Sequence, residues 1–168
     1  MSLLPNVRRT WAPRRRPPLL CHHFNWQRAS TAAALCYGGG GATVAFHVQA
    51  GSYDTDALIG VLGQLRRFLG GAKATLLWDG LSAHRSTAMR AWLNTQRHWL
   101  VTQRLPPYAP DLNPVEALWS CLKAVELANL TGPTLAEVIA QAHQGIERIR
   151  RTPHLAYSFV RHAGLSVA

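Results

Sequence analysis

Two acidic residues stand where this 168-residue chain could act on a charged substrate. Asp79 ends the apolar run ATLLW (Ala74 to Trp78). Glu116 lies in LPPYAPDLNPVEALW (Leu105 to Trp119), which holds four prolines and two carboxylates directly ahead of a helical pattern. Each has a plain structural account. Asp79-Gly80 is among the commonest turn pairs. Glu116 occupies the third position of a helix capped by Asn113, and that spacing by itself favours a capping box. Together, however, they put one carboxylate at the carboxyl end of a strand and another at the start of a helix beyond the next strand. An α/β fold can bring both into one cleft, where open sheets carry their chemistry. Such a pair could hold a hard divalent cation. Mg²⁺ takes oxygen ligands and keeps several waters, so the eight histidines are not a metal site by default.

The composition suits one globular domain, with 48% hydrophobic residues and six tryptophans. Eighteen Lys and Arg against eight Asp and Glu leave a formal charge of +10, and the cations are nearly all arginine. That balance points to a polyanionic partner recognised through phosphate. Cys21, Cys36 and Cys121 form no CxxC pair, and with no apolar signal stretch they point to a reducing compartment without disulfides. No apolar run approaches the roughly 18 residues of a membrane helix, so no membrane partner is expected.

The elements that would position the two acids are legible from periodicity. Residues 1–28, with VRRTWAPRRRPP, read as an irregular basic arm. Residues 29–130 read as the core and 131–168 as C-terminal helices packing on it. Ala29 to Tyr37, Gly38 to Gly41 and Ala42 to Val48 form a hairpin. The glycines follow no GxxxxGK pattern, which argues against a phosphate loop. Asp54 caps a helix carrying Leu58, Val61, Leu62, Leu65 and Leu69. ATLLW reads as a buried central strand. A helix from about Ser82 to Arg97 follows, with Met89, Trp92 and Leu93 inward, then a strand from Trp99 to Leu105. After the prolines, Val115, Leu118, Trp119, Leu122 and Val125 form an apolar stripe, with Glu116, Ser120 and Lys123 on a neighbouring polar one. Thr134-x-x-Glu137 opens a helix with Val138, Ile139, Ala142, Ile146 and Ile149. Pro153 stops it, and a last helix from about His154 to His162 ends at Gly164. Strands alternating with helices call for an α/β fold.

LLWDGLSAHRS (Leu76 to Ser86) followed by LPPYAPDLNPVEALWSCLK (Leu105 to Lys123) resembles the catalytic core of the mariner-superfamily DDE transposases, in the branch carried by bacterial insertion sequences. The likeness runs from about Ser2 to Val167. It implies an RNase H-like mixed sheet flanked by helices. Two Asp and one Glu would there bind two Mg²⁺ or Mn²⁺ ions for phosphodiester cleavage and strand transfer. Asp79 matches the second Asp and Glu116 the third acid, which reverses the preference for their structural accounts. Two such ions activate the attacking oxygen and stabilise the leaving one.

The chain departs from that pattern in one important place. In the family the first Asp lies on the first, central strand, upstream of the segment that resembles SLLPNVRRTWAPR, and here no Asp or Glu precedes Asp54. The expectation is therefore a two-metal site incomplete without a first Asp, and a chain inactive alone. An upstream-frame transposase chain would supply that Asp and the helix-turn-helix. The DNA partners implied are the insertion-sequence ends and the target, in a cytoplasmic, nucleoid-associated protein that could be a homo-oligomer. Gly80 stands where relatives often carry Asn.

Arg8, Arg9, Arg14, Arg15 and Arg16 form a basic arm suited to DNA phosphates. Arg85 and Lys123 extend that surface, and Lys123 reads equally as a solvated lysine. His84, five residues past Asp79, reads either as a phosphate contact or as a partly buried polar contact. Arg148, Arg150 and Arg151 read instead as helix-end cations. Trp11 and Trp26 read as core more readily than as base-stacking residues. Two rival readings remain: a non-catalytic DNA-binding or assembly fragment that regulates an intact transposase, and a pseudogene product. A cellular RNase H-type nuclease fits the proline-rich motif poorly.

Overall fold

The computed structural model describes residues 5–21, 27–39, 41–132 and 134–167. β1 (Ala29–Gly38) and β2 (Gly41–Ala50) form an antiparallel hairpin, in register from Ala29↔Ala50 to Gly38↔Gly41. Gly38 and Gly39 turn at φ +152° and +57°, a backbone that a Cβ would strain. Alanine is a weak strand former, so these Ala-rich strands depend on the cover they receive on both faces. Ala33, Leu35, Val44 and Phe46 meet one set of helices, and Ala34, Cys36 and Ala45 the other.

α1 (Thr55–Phe68) begins where Asp54 Oδ1 accepts from the Ala57 amide at 2.8 Å. β3 (Ala74–Trp78) and β4 (Leu100–Arg104) pair in parallel from Ala74↔Leu100 to Trp78↔Arg104. Between them the expected long helix is shorter. Ser82–Arg85 is one turn of 3-10 helix, and α2 runs Thr87–Thr95. Extended Ser86 breaks the two apart, because its Oγ accepts from the Met89 amide at 3.1 Å and so starts a new helix.

α3 (Pro114–Ala124), α4 (Leu135–Arg150) and α5 (Pro153–His162) follow. Thr134 Oγ1 accepts from the Glu137 amide and donates to the Glu137 carboxylate, both at 3.3 Å, so the cap forms while the reciprocal bond to the Thr134 amide is replaced by one to its hydroxyl. Pro153 is the first residue of α5, a position where its missing N–H is harmless.

Two cores result. Val44, Leu118, Leu122, Ile146, Ile149 and Phe159 join the hairpin to α3, α4 and α5. Leu62, Leu65 and Met89 join α1 and α2 to the hairpin's other face and to Leu76 and Trp78 of β3. One helical layer thus spans both strand pairs, while α3 to α5 serve the hairpin. The architecture is the expected mixed α/β, but among the described residues the strands form two separate two-stranded sheets.

Three expectations need correction. β3 is not buried on both faces. Leu76 and Trp78 pack inward, whereas Leu77 is 51% exposed, as is its face neighbour Val101 of β4 at 60%, because no described helix lies over that side. Val125 is 58% exposed, since α3 ends at Ala124 and the chain leaves the apolar stripe there. Trp11 is fully exposed rather than core, while Trp26 lies outside the described residues. The described arm residues 5–21 enter by an Asn6↔Ala128 bridge and by the Arg8 amide donating to Asn129 Oδ1 at 2.8 Å, and do not join either sheet.

Among the described residues no helix is long and apolar enough to cross a membrane.

Candidate active site

Asp79 leaves the carboxyl end of β3, and the Leu105 amide, one residue past β4, donates to the Trp78 carbonyl at 2.9 Å. The strand ends are therefore tied side by side where the two sequence motifs begin. The Asp-Gly turn forms as expected: Asp79 Oδ1 accepts from the Leu81 amide at 3.2 Å. The same oxygen lies 2.9 Å from His84 Nδ1, which is also 3.1 Å from the Asp79 carbonyl. The His84 ring stacks on Trp78, with centroids 4.2 Å apart and planes 11° apart. Its side chain is 10% exposed, against 48% for Asp79. Oδ1 is thus engaged inside the protein. Oδ2 has no hydrogen-bond partner among the described residues.

The path to Glu116 runs through the proline loop. Tyr108 takes φ +57° and is fully exposed, and Pro110–Leu112 make a 3-10 turn. Asn113 Oδ1 accepts from the Val115 amide at 3.2 Å, capping α3. The reciprocal half of a capping box would need Glu116 to accept the Asn113 amide, but that amide donates to the Pro110 carbonyl at 2.9 Å. Among the described residues no hydrogen bond or ion pair engages the exposed Glu116 carboxylate. Glu116, Ser120 and Lys123 are exposed along one side of α3, the first and last about 10 Å apart along the axis.

Asp79 follows the end of β3 directly and Glu116 comes after the proline loop in the first turn of α3, and among the described residues both carry oxygens without a protein donor. Oxygens of that kind suit hard cations. No group of three His, Cys, Asp or Glu that could hold a metal ion occurs among the described residues.

The cationic residues fall into two sets. Arg8, Arg9, Arg14, Arg15 and Arg16 are exposed. Their arm is rooted on the end of α3, where the Asn6 side-chain amide donates to the Lys123 carbonyl and the Asn129 amide donates to the Asn6 carbonyl at 2.9 Å. Arg85 is exposed on the turn beside His84. Arg148 and Arg150 are occupied in the fold. Arg150 Nε donates to the Val44 carbonyl at 2.8 Å and its guanidinium pairs with Glu147. Arg148 pairs with Glu126, whose side chain is 7% exposed, and reaches Cys121 Sγ at 3.4 Å. The hydrogen bond to Glu126 raises the Arg148 pKa still further above its ordinary value. Both arginines stand in the last turn of α4, as expected, and the contacts with Val44, Glu126 and Cys121 add tertiary ties to that helix-end position.

Sequence reasoning missed the Trp78–His84 stack and the Glu126–Arg148 pair. The first had a weak signal, a His five residues after Asp79. The second had one in Gly145, a glycine inside a helix, where a Cβ would meet Leu122 Cδ2 at 2.5 Å and Glu126 Cδ at 2.7 Å.

Known proteins place the chain. The family described as DDE superfamily endonuclease matches residues 1–137. The Mos1 strand transfer complex is similar in fold, with a TM-score of 0.58 at 15% identity, over 100% of this chain and 53% of that one. The Mos1 mariner paired end complex with Mn gives 0.57 at 16%, over 99% and 54%. The catalytic domain of Mos1 mariner transposase gives 0.50 at 16%, over 84% and 81%. The chain spans about half the length of the Mos1 chains in the two complexes. Among curated protein sequences none matches it. The family match covers most of the chain, and with the RNase H-like architecture it identifies this protein as a member of the DDE superfamily endonucleases.

Proposed function

We propose that this chain is the endonuclease and strand-transfer core of an insertion-sequence transposase, with Asp79 and Glu116 as two of its three acids. The observation that carries the reading is a pair of unengaged carboxylates, Asp79 directly after β3 with Oδ2 free and Glu116 in the first turn of α3, left outside its own helix cap. The donor set fits Mg²⁺ or Mn²⁺, the metals named in Mos1 complexes. Such ions supply charge stabilisation at the phosphate and activate the attacking oxygen. The chain's own part is to hold two ligands and to bind DNA through phosphates, using the arm from Arg8 to Arg16 together with Arg85 and Lys123.

The separation of the two strand pairs supports the other half of the proposal. An extended segment carrying the first Asp belongs between them, from further sequence of the same polypeptide or from a second chain. Buried strand edges otherwise leave N–H and C=O groups unsatisfied, at about 1 to 3 kcal/mol each. This chain would not cleave DNA alone.

Mn²⁺ binding to the purified chain, followed by the electron paramagnetic resonance of the free ion, tests the ligands. Asp79→Asn and Glu116→Gln should each weaken it, and unchanged binding in both would remove the proposed site. Metal-dependent nicking by the bare chain, abolished by Asp79→Ala, would sink the claim that an acid is missing. The rival reading, a DNA-binding or assembly fragment without catalysis, draws on the exposed arm rooted on α3. It is favoured if DNA binds with a steep salt dependence while Mn²⁺ does not bind.

A further inference from the structure

His84 makes its contacts toward Asp79 and not toward solvent, and those contacts determine its tautomer. Nδ1 lies 3.1 Å from the Asp79 carbonyl, which only accepts, and 2.9 Å from Asp79 Oδ1. Nδ1 must therefore carry a proton, and in the neutral ring Nε2 is left as an acceptor. A neutral His84 has no donor for a phosphate oxygen from that side. Its ring is also held flat against Trp78 at 4.2 Å and is nearly buried. Trp78 in turn packs into the core formed by α1 and α2.

We propose that His84 is a positioning residue, not a phosphate contact, and that it aims the Asp79 carboxylate. With Oδ1 held by the Leu81 amide and by His84 Nδ1–H, the carboxylate cannot rotate freely, and Oδ2 alone is presented outward. Trp78 locks the imidazole, the imidazole locks the carboxylate, and the chain of contacts ties the ligand to the core. Side chains that orient a ligand in this way typically alter metal affinity about 10- to 100-fold when removed. The inference rests on Asp79 being a cation ligand.

The test uses the full chain and three substitutions. An asparagine amide nitrogen falls near the place of Nδ1, and a glutamine amide nitrogen near that of Nε2. His84→Ala and His84→Gln should weaken Mn²⁺ binding by about tenfold, while His84→Asn should keep most of it. All three lose the stack on Trp78, so their melting temperatures should fall together and thereby separate packing from positioning. Equal losses of affinity in all three, or no loss in any, overturn the proposal. Long-range proton–nitrogen spectra of the wild-type imidazole add a readout that needs no metal. They should show Nδ1 protonated, and a ring protonated at Nε2 alone overturns the contact. A wild-type chain that binds no Mn²⁺ at Asp79 refutes the ligand reading instead, and the nitrogen spectrum then decides the His84 contact by itself.

Discussion

The hairpin and the β3–β4 pair are built from similarly apolar strands but are treated differently by the rest of the chain. The hairpin is covered on both faces, by α3 to α5 on one side and by α1 and α2 on the other. The β3–β4 pair is covered on one face only, and Leu77 and Val101 face outward from it. Asp79 follows directly from the less covered pair, whereas Glu116 stands in the first turn of α3, a helix that packs on the hairpin. The two proposed ligands therefore differ in support: Asp79 rests on a pair of strands with one bare face, and Glu116 on a helix anchored in the covered half.

The comparison can be broken by measuring stability in each half. The largest effect is expected for Leu118→Ala. Leu118 is fully buried between α3 and the hairpin core, and its truncation should lower unfolding free energy by about 3 kcal/mol in a denaturant titration. A loss below about 1 kcal/mol would mean that the hairpin core is loose. Next comes Gly145→Ala. The added methyl meets Leu122 and Glu126, and Glu126 is held in place by Arg148 and cannot swing aside freely. A destabilisation of about 2 kcal/mol is expected, against the usual small gain from replacing glycine in a helix. A gain would show that α3 and α4 are not in close contact.

A subtler effect separates the halves by pH. Burial, followed by the charges of Cys36 and Tyr157, pushes the Tyr37 phenol up to about 12 from an ordinary 10, while its hydroxyl donates to the Ala156 carbonyl at 2.9 Å. A raised folded-state pKa means that this contribution to stability is complete below pH 10 and is lost as pH rises from 10 through about 12. Melting followed across that window should fall less steeply for Tyr37→Phe than for the wild type, and parallel curves would argue against the buried phenol. The smallest effect is expected at Leu77→Ser. On the bare face it should change stability by no more than about 0.5 kcal/mol. A loss comparable to that of Leu118→Ala would mean that the face is covered in solution, by a second copy or by a supplied segment.

The sequence alone was informative about local structure. The Asp54, Asn113 and Thr134 caps, the glycine turn and most inward residues follow from hydrogen-bond chemistry and periodicity acting over a few residues. Ser86 escaped notice because a long apolar pattern hid the cap that divides it. ATLLW misled for a different reason, since a continuous apolar run says which residues tolerate burial and not which helices arrive to bury them.

Glu116 and Glu137 mark the boundary between the two kinds of information. Both stand three residues after a capping residue, so spacing treats them alike. Thr134 and Glu137 bond to each other, whereas the Asn113 amide is taken by the Pro110 carbonyl of the folded loop and Glu116 is released. In the same way residue types marked Asp79 as a turn former, but only the packed Trp78 and His84 decide which of its oxygens faces outward. Caps and periods are set by interactions within one or two turns of chain. Cover, tautomer and ligand direction depend on groups that only the folded arrangement brings together.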